Sequence, residues 1–106
     1  MRLSVTDIQA ISEAIGSAIG GAPAKLFLFG SRVDDKLKGG DIDLLVICEP
    51  PLRAHLEARK YAILAEIKGR IGDQKIDLVI ATPPTPAGDP FVAHALQRAQ
   101  LIKEWA

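Results

Sequence analysis

Three short apolar runs, AKLFLF, DIDLLVIC and KIDLVIA, constrain the fold of this chain more than any other feature. Each falls short of the roughly 18 to 20 apolar residues needed to cross a bilayer, and each is rich in the branched and aromatic side chains that suit a buried pleated surface. They read as buried strands, and the segments around them repeat with a helical period instead. In TDIQAISEAIGSAIG the residues Ile8, Ile11, Ile15 and Ile19 recur at three-to-four spacing, with Thr6 or Ser4 as the cap and Gly20, Gly21 and Pro23 as the stop.

From Leu52 to Ile67 the positions Leu56, Tyr61, Ile63, Leu64 and Ile67 predict one long amphipathic helix, opened by Pro50 and Pro51 and bracketed at its end by Gly69 and Gly72. After KIDLVIA, the proline-rich TPPTPAGDP cannot continue a strand. Asp89 and Pro90 then look like a cap and first helical position, and Phe91 or Val92, Ala95, Leu96, Ala99 and Ile102 predict a last helix over FVAHALQRAQLIKEW. The predicted order is helix, strand, loop, strand, helix, strand, helix. That order implies a small α/β sandwich, with helices packed on a sheet of three strands or slightly more.

At 106 residues the chain has the length of one compact domain, taken as residues 1–106. Thirteen basic and thirteen acidic residues balance, so no chain-wide positive field attracts nucleic acid or an anionic membrane, and a nucleotide would need a local site. A single cysteine, Cys48, offers neither a disulfide nor a metal cluster and reads as a small buried side chain in a reducing compartment. The opening MRLSVTDIQA lacks the apolar centre of a signal peptide, so a cytoplasmic location and no membrane association are expected.

The carboxylates carry the chemistry. Alternation along a strand puts Asp41 and Asp43 on one face and Ile42 on the other, and carboxylates at that spacing can bracket a pair of metal ions about 3.5 to 4 Å apart. Asp77 repeats the arrangement at the head of KIDLVIA and joins the pair if the third strand lies beside the second. Three acids crowded together repel unless a cation sits among them, and hard oxygen ligands suit Mg²⁺ or Mn²⁺. Gly30 and Ser31 end the first strand where backbone N–H groups and a hydroxyl can receive a phosphate, and Arg32 adds a charge-assisted donor. No Gly-x-Gly-x-x-Gly and no Gly-Lys-Ser/Thr follows that strand, which sets aside the dinucleotide-binding and P-loop alternatives.

Leu28-Phe29-Gly30-Ser31, nine intervening residues, and Asp41-Ile42-Asp43-Leu44 resemble the signature of the nucleotidyltransferase superfamily that includes DNA polymerase beta. The short length and Lys75-Ile76-Asp77-Leu78-Val79 are similar to its smallest members, the minimal nucleotidyltransferases, which are commonly antitoxin partners of small helical HEPN proteins. Many of those carry ten residues in the loop and a serine before the first Asp; here the loop has nine and ends Gly39-Gly40.

The resemblance implies the small nucleotidyltransferase fold, an α+β arrangement with a short mixed sheet and helices packed on it. It implies two Mg²⁺ ions on Asp41 and Asp43, with Asp77 ligating one of them and accepting the proton of the acceptor hydroxyl. Gly30 and Ser31 would hold the triphosphate of ATP. The expected reaction is transfer of AMP to a hydroxyl, the expected acceptor a tyrosine of a HEPN-type partner, and the expected role that of an antitoxin. Two alternatives stand beside it: an antitoxin that neutralises its toxin by binding alone, and transfer to a small molecule such as an aminoglycoside. Homo- or hetero-oligomers are compatible with either role.

The remaining polar residues read as structural. His55 and His94 lack a second ligand at metal spacing, and Asp34 and Asp35 read as loop residues. The basic group Arg53, Arg59, Lys60, Lys68 and Arg70 is interspersed with Glu57 and Glu66 and reads as a solvated helix face. Trp105 could pack back on the sheet or anchor a partner, and packing within the chain is the expectation.

Overall fold

The computed structural model describes residues 4–29, 42–72, 74–83 and 90–106. Their elements run α1 (Val5–Ile19), β1 (Ala24–Phe29), β2 (Ile42–Cys48), α2 (Pro50–Ala58), α3 (Lys60–Ile71), β3 (Ile76–Ala81), α4 (Pro90–Arg98) and β4 (Gln100–Trp105). Ser4 caps α1 by accepting a hydrogen bond from the Asp7 amide at 3.0 Å. Gly20 closes that helix at φ 67°, in the left-handed region that a residue without a Cβ enters at no steric cost.

The four strands form one sheet in the order β3-β2-β1-β4. β1 runs antiparallel to both β2 and β4, and β2 runs parallel to β3, so the sheet is mixed. A parallel pair needs a crossover connection, and α2 with α3 supplies it. The expectation of a small α+β fold with helices on a short mixed sheet is met.

Each face of the sheet has its own core. On one, Leu26, Leu28, Ile42, Leu44, Val46, Ile76, Leu78 and Ile80 pack against Ile11 and Ile15 of α1, Leu56 of α2, and Ile63 and Ile67 of α3. On the other, Leu45, Ile47 and Ala81 meet Val92 and Ala95 of α4, with Phe27, Phe29, Val79 and Leu96 at the margin. β2 is thus buried on both faces from Leu44 to Cys48, as a central strand should be. Among the described residues, no helix is long and apolar enough to cross a membrane.

Two expectations from periodicity require correction. The long helix is two helices: the chain breaks at Arg59 (φ −106°, ψ 6°), and α3 restarts at Lys60. Tyr61, expected on its apolar stripe, is 85% exposed. The last helix ends at Arg98, and the segment after it becomes β4 instead of continuing the helix. β4 satisfies the outer backbone groups of β1, a demand that helical spacing in the segment itself cannot reveal. A register shift between Leu26 and Phe27 marks where the two strands accommodate each other. β4 also carries Trp105 against the core and beside α1, where packing back was expected.

Candidate active site

The C-terminal end of β1 and the N-terminal ends of β2 and β3 meet at one end of the sheet. There, Phe29 pairs with Asp43 and Asp43 with Asp77, forming a row across three strands. Directly paired residues share a face, so both carboxylates lie on the α4 side of the sheet, in line with Leu45 and Ile47 on β2 and with Val79 and Ala81 on β3. α4 packs on the part of that face formed by Leu45, Ile47 and Ala81. Toward the other end, Asp43 is half-buried and Asp77 exposed. A strand otherwise buried on both faces can therefore begin with a carboxylate: among the described residues, Asp43 lies beyond the part of that face on which α4 packs.

The Ile42 amide donates to the Lys75 carbonyl at 3.0 Å, tying the start of β2 to the residue that precedes β3. Adjacent strands lie about 4.8 Å apart, so the two carboxyl groups are near neighbours. A cation between them could be held by both, and their oxygens form a hard donor set suited to Mg²⁺ or Mn²⁺.

The acids border a cavity of about 480 Å³ lined by Phe29, Asp43, Ile76, Asp77, Leu78 and Val79 from the sheet and by Lys60, Tyr61 and Leu64 from the start of α3. The sequence reading did not place Lys60 or Tyr61 here. Lys60 read as part of a solvated basic face and Tyr61 as a stripe residue, because only the break at Arg59 and the proximity of α3 to β3 bring them to the acids. No signal in the local sequence marks that approach.

Of the site residues expected from sequence, Asp43 and Asp77 are brought together. Gly30, Ser31, Arg32 and Asp41 lie outside the described residues, as do Asp34, Asp35, Gly39, Gly40 and Asp89. Phe29 and Ile42, the described residues that flank segment 30–41, both sit at the acidic end of the sheet. Among the described residues, no three His, Cys, Asp or Glu side chains cluster as a metal site. His55 and His94 are exposed on α2 and α4.

A second hollow of about 290 Å³ lies toward the opposite end of the sheet, between Pro23, Ala24, Phe27, Ile47, Cys48, Leu96 and Trp105. It is mainly apolar, and Lys25 and Glu104 on its wall approach each other at 4.0 Å. Burial pushes the Cys48 thiol above its usual range, with the charge of Arg53 opposing and that of Glu49 adding to the shift. A protonated thiol in an apolar wall offers little nucleophilic or metal-binding power, so the acidic end is the better candidate for chemistry.

A family model described as a nucleotidyltransferase domain matches residues 8–102, a span that runs from α1 into β4 and includes the whole acidic end of the sheet. No curated protein matches the chain.

Proposed function

This chain belongs to the nucleotidyltransferase domain family, and we propose that it transfers AMP from ATP to a protein hydroxyl, a tyrosine of a HEPN-type partner, as the antitoxin of a toxin–antitoxin pair. Nucleotidyl transfer follows from the family; the nucleotide, the acceptor, the partner and the minimal subtype are our reading. The observation that carries it is the pairing of Asp43 with Asp77 at one end of the sheet.

Nucleotidyltransferase domains generally use a nucleoside triphosphate and a divalent cation, and the donor set fits. Asp43 and Asp77, together with Asp41 from the sequence pattern, would hold Mg²⁺. When bound, the cation neutralises triphosphate charge and lowers the pKa of an attacking hydroxyl. The chain's residues do the positioning: Gly30, Ser31 and Arg32 would bind the phosphates, and Asp77 would take the hydroxyl proton.

The test is to incubate the purified chain and its partner with Mg²⁺ and α-labelled ATP. Label should appear on the partner and disappear with Asp43→Asn plus Asp77→Asn. Label that persists in that double variant removes these acids from the mechanism. Neutralisation of the partner without any labelling would make the chain a binding antitoxin.

A further inference from the structure

Among the described residues that line the cavity bordered by Asp43 and Asp77, Tyr61 alone has a side-chain hydroxyl, and it is the only tyrosine in the chain. Its position follows from the break at Arg59, which starts α3 beside β3. Within α3, Tyr61 and Ile63 point about 160° apart around the axis. With Ile63 buried in the core, Tyr61 is turned outward, 85% exposed at the cavity rim. Neither packing nor helix propensity calls for an aromatic ring there, since such rings lose side-chain freedom in a helix.

We propose that Tyr61 is a self-modification site, accepting a nucleoside monophosphate from a triphosphate bound at Asp43 and Asp77 of the same chain. This rests on the nucleotidyl-transfer reading and names an acceptor within it. A phenol gives up its proton far more readily than a serine or threonine alcohol, so it is the easier hydroxyl to activate.

In the step, Tyr61 Oη attacks the α-phosphorus. The Oη–P bond forms as the bond from that phosphorus to the oxygen bridging to the β-phosphate breaks. Pyrophosphate leaves with the electron pair, and the phenolic proton passes to the Asp77 carboxylate and on to water. No oxidation state changes. The product stays attached at the rim of the cavity, so each chain carries at most one such adduct.

The experiment uses the full chain with ATP and Mg²⁺, read by intact mass and by the tryptic peptide YAILAEIK, which begins at Tyr61. The expected result is one nucleoside monophosphate per chain, on Tyr61, present on purification or formed at a rate per chain independent of protein concentration. Tyr61→Phe should abolish it while melting as wild type does, because the side chain is exposed; Asp77→Asn should abolish it as well. An adduct that persists in Tyr61→Phe, or a rate per chain that rises with protein concentration, overturns the proposal. If no adduct forms although Mg²⁺ with ATP raises the melting temperature of wild type and not of Asp77→Asn, self-modification fails and the nucleotide site stands. If neither adduct nor shift occurs, both fail.

Discussion

Asp43 on β2 and Asp77 on β3 are register partners in a parallel ladder, with Phe29 of β1 completing the row. Like charges directly opposite on neighbouring strands are destabilising, and a cation held by both carboxylates relieves that cost.

That cost has a measurable sign. Without divalent metal, Asp77→Asn should leave the protein as stable as wild type or more stable by ~0.2–1 kcal/mol in urea unfolding. With Mg²⁺ and ATP the order should reverse: wild type should gain melting temperature and the variant should not. Nucleotidyl transfer should fall by roughly a hundredfold or more, the scale for losing one electrostatic group in an active site. A variant less stable than wild type in the absence of metal would show that the carboxylate serves the fold.

Gly16 and Trp105 should be energetically coupled. A Cβ on Gly16 would lie 3.2 Å from the Trp105 indole nitrogen, closer than most real contacts allow. Ala in a helix interior is ordinarily better than Gly by about 0.8–1 kcal/mol. In wild type, Gly16→Ala should deliver less than that because the indole must shift; in a Trp105→Ala background it should deliver the full gain. A double-mutant cycle of urea midpoints measures the difference, and purely additive effects would show that the ring is not held against α1.

Cys48 should make stability fall in alkali. Burial raises its pKa above the ordinary 9.0, so the folded state holds the thiol proton more tightly than the unfolded chain does. That contribution is complete below pH 9.0 and is lost as pH rises from there toward the folded value. Urea midpoints of wild type and Cys48→Ala, compared between about pH 8 and 10, should show the steeper decline in wild type. Thiol reagents should label native Cys48 slowly, because the thiolate is disfavoured and the side chain is only 3% exposed.

Ser4→Ala removes the side-chain oxygen that accepts the Asp7 amide and should cost about 1 kcal/mol. Ser4→Gly should cost only a few tenths, since glycine leaves the amide open to water. Thermal or urea melting of the two variants checks the order, and equal losses would point to an effect of side-chain packing instead of capping.

The amino-acid sequence by itself determined the strands and their acids. AKLFLF, the run ending in Cys48, and KIDLVIA are short, apolar and bounded by breakers, and the structure places β1, β2 and β3 on them. α1 was equally legible from its isoleucine stripe, while the choice of cap between Thr6 and Ser4 was decided by the Ser4–Asp7 hydrogen bond. An aspartate opening an otherwise apolar strand is a local anomaly and so visible without coordinates; Asp43 and Asp77 were found that way. Tertiary structure alone decided the rest. β4 exists because β1 has an outer edge to be paired, and α4 could not continue through Gln100–Trp105 once that edge was available. Lys60 and Tyr61 reach the acidic cavity because the chain breaks at Arg59 and α3 comes beside β3. Periodicity reports which side of an element is apolar, but it is blind to which neighbour that element meets, and the rim of this site is made by such a meeting.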